Sequence, residues 1–323
     1  MGEAQSGSGR PAPRAVVITG PTASGKTDLS IRVALRLNGE IISMDSRQVY
    51  RGMDIGTAKA TPEQRRAAPH HGLDLVDPDE RYSAGLFARD ARIWIEEIRS
   101  RGRIPILVGG TGFFLRALTH PMFREPDLEP LRRARLDRFM KTLTKEDLLR
   151  WLQALDPASA ETLSKRGGRQ RMERALEIVL LTGRPIGWWH ENAPPSADPV
   201  PLIVFVLQLP REELYRRIDQ RVLDMIDTGL VQEVERLLDA GYDADDPGMS
   251  ATGYIELIPY LRGQRSLEDA IRDIQRNTRR YARRQLTWLR HQLPGDAIWL
   301  DATRPQEELV EEIVAHVRKE MGQ

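Results

Sequence analysis

The stretch VVITGPTASGKTDLS, from Val16 to Ser30, decides the fold. A β-branched run leads into G-x-x-x-x-G-K-T, and a helical pattern follows, which is the context typical of a phosphate-binding loop. The glycines allow the backbone N–H groups to point inward, and the helix adds its positive N-terminal end. The sequence therefore predicts that this loop binds a phosphate or a diphosphate.

The anion-binding residues predicted from this motif are Gly20, Pro21, Thr22, Ala23, Ser24, Gly25, Lys26 and Thr27. The lysine supplies a mobile cation, and the Thr27 hydroxyl is a candidate ligand for Mg²⁺. A merely structural glycine-rich turn would not require Lys26 and Thr27 together, so the functional interpretation is favoured.

Strand-like runs alternate with helical patterns in the first third of the chain. The predicted strands are Ala15–Thr19, Glu40–Ser43, Leu73–Val76 and the segment Arg103–Gly112, and a helix is predicted from Ser83 to Ser100. Leu202–Leu209 returns to the sheet, and Ala297–Leu300 is predicted as a last edge strand. This order predicts an α/β fold with a P-loop NTPase-like, doubly wound parallel sheet and a ligand site at the carboxyl ends of the strands.

The domain organisation follows from a change of composition. Strand signals disappear between residues 123 and 201, where arginine-rich helical segments predict a helical insertion. The catalytic core then comprises residues 15–122 and 202–323, including C-terminal helices. Residues 1–14 are rich in Gly, Pro and small side chains and are predicted to form a disordered leader.

Composition excludes several classes of protein. The 48 Lys and Arg residues nearly balance 47 Asp and Glu residues, so any nucleic-acid surface must come from local clusters of arginine. The absence of cysteine excludes disulfides, zinc–thiolate sites and thiol nucleophiles, and it suits a cytoplasmic protein. No apolar run approaches the roughly 20 residues that a membrane span needs, so no membrane association is predicted.

A nucleotide hydrolase usually has a carboxylate at the end of a neighbouring strand, where it holds magnesium. The strand IPILV instead ends in Gly109, Gly110 and Thr111. The loop is therefore predicted to hold a diphosphate without hydrolysing a nucleotide. Asp45, directly after the second strand, has two interpretations: a general base, or the N-cap of a following helix.

Two arginine-dense segments recur in the second half of the chain. One contains Arg166, Arg169, Arg171 and Arg174, and the other contains Arg272, Arg276, Arg279 and Arg283. A single charge stripe is more often a solvated face. Two such segments, interleaved with Gln, Tyr and Trp, favour contacts with RNA phosphates and unpaired bases.

Several stretches together resemble one family, the bacterial tRNA dimethylallyltransferases, also called tRNA isopentenyltransferases. They are GPTASGKT, ISMDSRQVYRGMDIGTAK, PHHGLDLVDPDERYSAGLFARDA, PILVGGTGFFLRAL, RQRMERALEIVLLTGRP, MSATGYIEL and YARRQLTWLR, in the family's order. The resemblance implies transfer of a dimethylallyl group from its diphosphate to N6 of adenosine 37 in the anticodon loop of tRNA. It further implies Mg²⁺ as cofactor. A cytoplasmic location is expected from the absence of cysteine, and a monomer suffices for this chemistry.

The resemblance also implies roles for individual residues. Asp45 corresponds to the general base, Thr111 hydrogen-bonds near the bridging oxygen of the donor, and Arg221 or Arg217 neutralises the leaving diphosphate, with Arg221 favoured. The implied tRNA contacts are Asp45, Ser46, Arg47, Gln48, Thr111, Arg133, Gln170, Arg171, Met172, Glu173, Arg174, Gly253, Tyr254, Arg283, Arg284, Gln285, Trp288 and Arg290. The insertion would grip the anticodon stem-loop.

Two positions depart from the family's usual pattern. Ile255 stands where a basic residue is usual, and Thr252 replaces a more usual aliphatic residue. Two rival functions predict different partners for the same loop. A small-molecule kinase would consume ATP and use Asp45 to activate a hydroxyl, whereas a non-catalytic RNA-binding protein would hold a regulatory nucleotide.

Overall fold

A parallel sheet of six strands forms the centre of the computed structural model, which describes residues 14–120, 123, 128–195, 197–293 and 295–322. The strands are β1 (Ala15–Thr19), β2 (Gly39–Ser43), β3 (His70–His71), β4 (Ile104–Gly109), β5 (Leu202–Gln208) and β6 (Ile298–Asp301). Their spatial order is β3-β2-β4-β1-β5-β6, and all neighbours are parallel. The predicted α/β doubly wound sheet is confirmed, as is the edge strand near residue 300.

The central strand β1 lies between β4 and β5, with Val16 opposite both Ile106 and Ile203. Val17 belongs to the hydrophobic cluster on one face of the sheet, whereas Val16 and Ile18 belong to the cluster on the other. Because both faces are covered, the strand is apolar throughout rather than alternating. The carboxyl end of β1, where the glycine-rich loop begins, is therefore held in place by strands on both sides.

Helices cover the two faces of the sheet. The core helices are α1 (Lys26–Leu37), α2 (Pro62–Ala67), α3 (Ala84–Ser100), α4 (Gly112–Thr119), α10 (Arg211–Asp227), α11 (Leu230–Asp239), α12 (Tyr254–Leu261), α13 (Leu267–Gln292) and α14 (Gln306–Met321). Helices α1 and α14 pack on one face. The other face is covered by α3, α4 and residues of α10–α13. The predicted N-cap of α3 is confirmed, since the Ser83 side chain accepts a hydrogen bond from the Leu86 N–H.

The predicted strand Leu73–Val76 is wrong. The strand at this edge is His70–His71, and the later segment contributes only an isolated bridge between Val76 and Tyr50. Gly72 and Asp74 have positive φ angles of 80° and 54°, which break the extended conformation. The Asp74 carboxylate instead accepts hydrogen bonds from the side chains of Lys59 and Arg65.

The chain divides into two compact units. One runs to Thr119 and resumes at Val200, and the other is His120–Pro199. The second unit contains the helices α5 (Pro130–Thr142), α6 (Lys145–Leu155), α7 (Pro157–Arg166), α8 (Arg169–Thr182) and α9 (Ile186–Asn192). These helices enclose a hydrophobic core of their own, centred on Leu148, Leu152 and Leu176.

The predicted leader lies outside the described residues except for Arg14. The guanidinium of Arg14 donates a hydrogen bond to the Glu320 carboxylate at 2.9 Å. Within the described residues, no helix is both long enough and apolar enough to cross a membrane.

Candidate active site

The phosphate-binding loop connects β1 to α1 through backbone conformations that suit glycine. Gly20 has φ 150°, and a Cβ there would stand 2.7 Å from the Leu207 carbonyl oxygen on β5. Gly25, at the N-cap of α1, has φ 88° and no side chain to satisfy the first N–H groups of the helix. Those N–H groups and the positive end of the helix dipole are therefore available to an anion.

The side chain of Lys26 folds back over its own loop. Its Nζ donates to the carbonyl oxygens of Gly20 at 3.1 Å and Pro21 at 2.7 Å. Burial and the nearby Arg221 together lower the pKa of Lys26 to about 7, although the charge of Asp45 opposes both effects. In the absence of an anion, this lysine is thus poised to lose its charge near neutral pH.

Asp45 lies two residues beyond the end of β2. A turn, not a helix, follows it, so the helix-cap interpretation is wrong. Its Oδ1 accepts a hydrogen bond from the Arg47 N–H at 2.8 Å, which fixes the carboxylate in a turn. The negative charge of the same carboxylate favours the charged forms of Lys26 and Arg221, and it partly offsets the lowering of their pKa values by burial.

Thr111 joins the glycine turn after β4 to the Asp45 segment. Its Oγ1 accepts a hydrogen bond from the Ser46 N–H at 3.0 Å. A Cβ on Gly109 would lie 2.0 Å from the Met44 carbonyl oxygen, so the close approach of the two strand ends requires glycine there. The candidate base and the candidate threonine are thereby brought to the same edge of the sheet.

Tyr281 on α13 is a residue of this site that the sequence did not single out. Burial raises the pKa of Tyr281 to about 12, and the charge of Asp45 adds to the effect, while a hydrogen bond with Thr111 opposes it. Its only sequence signal is its position one helical turn before Gln285, on the face of α13 that meets the cavity.

The two candidate arginines of α10 differ in their surroundings. Arg221 lines the cavity, and burial lowers its pKa while Asp45 raises it. Arg217 pairs with Glu213 one turn earlier on the same helix, with 2.6 Å between its Nε and the carboxylate oxygen. The surroundings of Arg221 therefore suit a diphosphate contact better than those of Arg217.

Lys26, Asp45, Arg221 and Tyr281 line one cavity of about 480 Å³ in the first unit. Its polar part is formed by the phosphate loop, Asp45, Arg221 and Arg284. The apolar residues that line it include Ile218, Val222, Met225, Ala251 and Ile274. Such a cavity can hold a small molecule with an anionic end and a hydrocarbon end.

Gln285, Gly253 and Tyr254 are three of the predicted tRNA contacts, and the side chains of Gln285 and Tyr254 make contacts within the protein. Gln285 is buried and joins two loops, since its Oε1 accepts from the Thr22 N–H at 2.9 Å and its Nε2 donates to the Gly110 oxygen at 3.0 Å. Tyr254 is fully buried, and Gly253 before it has φ 103°. Tyr254 is completely buried, so its side chain does not reach tRNA in this conformation, whereas Gln285 lines the cavity and its tRNA contact stays a prediction.

The segment after Asp45 is also engaged within the protein. Arg47 Nη1 donates to the Pro247 carbonyl oxygen at 2.7 Å and to Ser250 Oγ at 3.2 Å. Ser46, Arg47 and Gln48 all line the cavity. The predicted tRNA contacts of this segment therefore face the same cavity as the candidate base.

The basic face of α13 is largely paired with carboxylates. Arg272 pairs with Asp269, Arg276 with Asp273 at 2.6 Å, and Arg279 with Asp219 at 2.6 Å. The predicted contacts Arg283, Arg284 and Arg290 are exposed further along the helix. The ring of Trp288 packs directly against Gly112, because a Cβ added to this glycine would lie only 2.3 Å from the ring. Among the described residues, Arg283 is the member of the predicted stripe that has no carboxylate partner, and its guanidinium donates instead to the Tyr215 hydroxyl at 3.3 Å.

In the insertion, the side chains of the predicted contacts divide into three groups: exposed, buried and ion-paired. Gln170 and Arg171 are exposed at the start of α8. Met172 is completely buried in the core of the unit, so its expected tRNA contact is wrong for this conformation. The remaining three are ion-paired: Glu173 with Arg169 at 2.7 Å, and both Arg133 and Arg174 with Glu177.

A resident metal site built from protein groups is not found among the described residues, where no three or more His, Asp or Glu side chains form a suitable cluster. Thr27 lies at the start of α1 and lines the cavity. Magnesium usually takes one or two protein ligands together with substrate phosphate oxygens. The donor set therefore fits Mg²⁺ only as a partner of a bound diphosphate.

The fold and the site define an α/β protein with a parallel sheet, in which a glycine-rich loop, a carboxylate and apolar side chains line one cavity. The model of the IPP transferase family matches residues 48–292, and the isopentenyl transferase model matches residues 13–69. The chain belongs to the tRNA dimethylallyltransferase family, whose members are prenyltransferases.

Named relatives match over nearly the whole chain. The tRNA dimethylallyltransferase of Thermomicrobium roseum is 46% identical over 94% of this chain and 92% of its own length. That of Carboxydothermus hydrogenoformans is 42% identical over 93% and 96%.

Solved structures agree with the sequence matches. The tRNA isopentenylpyrophosphate transferase of Bacillus halodurans has a TM-score of 0.69 at 38% identity, covering 96% of this chain and 97% of that chain. A eukaryotic dimethylallyltransferase acting on tRNA has a TM-score of 0.77 at 28% identity, covering 94% and 80%.

Proposed function

We propose that this enzyme transfers a dimethylallyl group from dimethylallyl diphosphate to N6 of adenosine 37 in the anticodon loop of tRNA. The observation that carries the proposal is that the phosphate loop, Asp45 and Arg221 meet around one cavity that also has an apolar lining. Thr111 accepts a hydrogen bond from the N–H of Ser46, which lines the same cavity. An anionic leaving group and a hydrocarbon would fit its two parts. This activity implies a cytoplasmic enzyme that acts as a monomer.

The donor binds with its diphosphate in the loop from Gly20 to Thr27. Loop N–H groups, Lys26 and Arg221 offset the negative charge that grows on the diphosphate as the bond to the allylic carbon breaks. Thr27 would hold Mg²⁺ together with the diphosphate, and the metal supplies further positive charge when bound. The branched hydrocarbon lies against the apolar residues of the cavity.

The acceptor is the exocyclic amine of an adenine, which is a weak nucleophile. Asp45 orients the amine and takes its proton as the new carbon–nitrogen bond forms, which is the usual work of a general base. Thr111 hydrogen-bonds near the bridging oxygen of the donor. The base must leave its stack to reach this position, at a cost of a few kcal/mol that is least in a loop.

The exposed Gln170, Arg171, Arg283, Arg284 and Arg290 are the side chains on the surface that suit contacts with the tRNA backbone. We assign the grip on the anticodon stem-loop to the helical insertion, residues 123–201. The core, residues 15–122 and 202–323, then carries the chemistry.

The test is to incubate the purified protein with unmodified tRNA, labelled dimethylallyl diphosphate and Mg²⁺, then digest the tRNA and measure nucleoside masses. The expected result is a mass increase of one prenyl group on one adenosine. The rate of this modification should be about 10²- to 10⁴-fold lower in Asp45→Ala. Consumption of ATP in a parallel sample, with no prenylated adenosine, would identify the small-molecule kinase instead.

A further inference from the structure

A buried carboxylate on α11 has no place in the reaction described above. Glu233 is 2% exposed, and its two oxygens accept four hydrogen bonds. Three come from the consecutive backbone N–H groups of Asp54 at 3.0 Å, Ile55 at 2.8 Å and Gly56 at 3.1 Å. The fourth comes from the hydroxyl of Tyr254 at 2.6 Å.

Successive backbone N–H groups that converge in a turn form a concavity that attracts an anion. Here an internal carboxylate fills that concavity, so the Asp54–Ala58 loop is held to α11 by charge-assisted hydrogen bonds. Such bonds are stronger than neutral ones, and their loss would leave three buried N–H groups without an acceptor.

The same loop is held from its other side by Gln48. The amide nitrogen of Gln48 donates to the carbonyl oxygens of Thr57 at 3.2 Å and Ala58 at 3.1 Å. Its amide oxygen accepts from Ser43 Oγ at 2.8 Å, at the end of β2. Ala58 has φ 46°, a conformation that a residue with a Cβ adopts only when its surroundings impose it.

The Asp54–Ala58 loop is a wall of the candidate active site. Gly56, Thr57 and Ala58 line the cavity. Behind the wall, a Cβ on Gly56 would meet the ring of Tyr254 at 2.5 Å, so the backbone and the ring are in close contact. The position of the wall therefore depends on Glu233, Tyr254 and Gln48 together.

We infer that Glu233 is a positioning residue for the transfer reaction, and that with Gln48 it holds the Gly56–Ala58 wall closed against water. The inference rests on the proposed function. In the competing reaction, a water oxygen bonds to the allylic carbon as the carbon–oxygen bond to the diphosphate breaks. The electron pair leaves with the diphosphate, the extra proton goes to solvent, and dimethylallyl alcohol is released.

The test replaces the carboxylate by an amide of equal size, Glu233→Gln. The amounts of prenylated tRNA and of dimethylallyl alcohol are each measured relative to the amount of diphosphate released. The KM values for donor and tRNA are measured as well. We expect kcat for transfer to fall by about 10- to 100-fold, as for misplacement of a reacting group, and the alcohol fraction to rise. The KM for tRNA should stay within about twofold. Glu235→Gln, an exposed residue two positions along the same helix, is the matched control and should behave as wild type.

A second variant covers the case in which Glu233→Gln fails to fold. Gln48→Glu keeps the side-chain volume but removes the amide donors to Thr57 and Ala58, and it should also raise the alcohol fraction. A raised KM for tRNA with an unchanged alcohol fraction in folded variants would overturn the inference and assign Gln48 to tRNA contact. Wild-type protein that forms no prenylated tRNA in the same assay would refute the proposed function itself.

Discussion

The binding of the donor should depend on pH through Lys26. Its ammonium is enclosed by its own loop, and burial together with Arg221 lowers its pKa to about 7, although Asp45 opposes both effects. A bound diphosphate places negative charge beside Nζ and raises this pKa. Binding above pH 7 must therefore be accompanied by uptake of a proton, because the free enzyme has lost the proton and the complex keeps it.

The size of the pH effect on donor binding follows from the pKa of Lys26 in the free enzyme alone. At pH 7 about half of the free enzyme carries neutral Lys26, and at pH 8.5 almost all of it does. The dissociation constant of the donor should rise by about 16-fold over that range, approaching tenfold per pH unit. An organic diphosphate is already about nine-tenths ionised at pH 7 and almost fully ionised at pH 8.5, since the second pKa of a phosphate ester is about 6.

The assay is calorimetric titration of dimethylallyl diphosphate and Mg²⁺ into tRNA-free protein, in pairs of buffers with different ionisation enthalpies. The expected uptake is about half a proton at pH 7, rising toward one proton at pH 8.5. Lys26→Arg is the control, because a guanidinium keeps its charge throughout this range. A constant affinity with no proton uptake in the wild type would refute the argument about Lys26.

Three further predictions concern other parts of the molecule. Gln285→Ala should raise the KM for the donor severalfold and leave the KM for tRNA unchanged, because the variant removes the hydrogen bonds to Thr22 and Gly110. Steady-state kinetics with each substrate varied in turn will distinguish this positioning role from a direct contact with tRNA. Burial by itself raises the pKa of Glu40, but hydrogen bonds from Arg101 and His71 hold it at about 2. The lowered pKa of Glu40 contributes about 3 kcal/mol to the free energy of unfolding above about pH 4.5, and this contribution is lost as the pH falls toward 2. In denaturant melts, the free energy of unfolding of Glu40→Gln should therefore fall less steeply with decreasing pH than that of the wild type. Ile255→Arg should lower the Kd for tRNA severalfold at low salt and steepen its salt dependence, whereas Ile255→Gln should not; filter binding at two salt concentrations measures both.

The sequence predicts the parts of this molecule that depend on local chemistry. The phosphate loop, β1 and the start of α1 follow from spacing, because only a strand–loop–helix unit places Gly20, Gly25 and Lys26 around an anion. The segment at residues 73–76 alternates like a strand, yet positive φ angles at Gly72 and Asp74 end the extension. Propensity does not reveal that conformation, since tertiary hydrogen bonds impose it on Asp74.

The rest of the site depends on contacts between distant segments. Glu233 belongs to an ordinary amphipathic helix pattern, and nothing near it in sequence marks a carboxylate that will meet residues 54–56. Family resemblance aligns whole stretches but does not say which side chains turn inward. Met172 and Tyr254 were therefore assigned to tRNA although packing buries both of them.

The missing acid after β4 is a consequence of packing as well as of sequence. A Cβ on Gly109 would lie 2.0 Å from the Met44 carbonyl oxygen, and one on Gly110 would lie 2.2 Å from Nε2 of Gln285. A carboxylate at either position would have to displace the Asp45 segment or the bond from Gln285 to the turn after β4.

The cavity balances charge without that acid. With Lys26 protonated beside a bound diphosphate, the charged side chains that line it are Lys26, Arg47, Arg221 and Arg284 against Asp28 and Asp45, which leaves two net positive charges. A strand-end carboxylate would halve this excess beside the anion. The close approach of the two strand ends, which brings Thr111 to Ser46, therefore also keeps the site positive enough to stabilise a departing diphosphate.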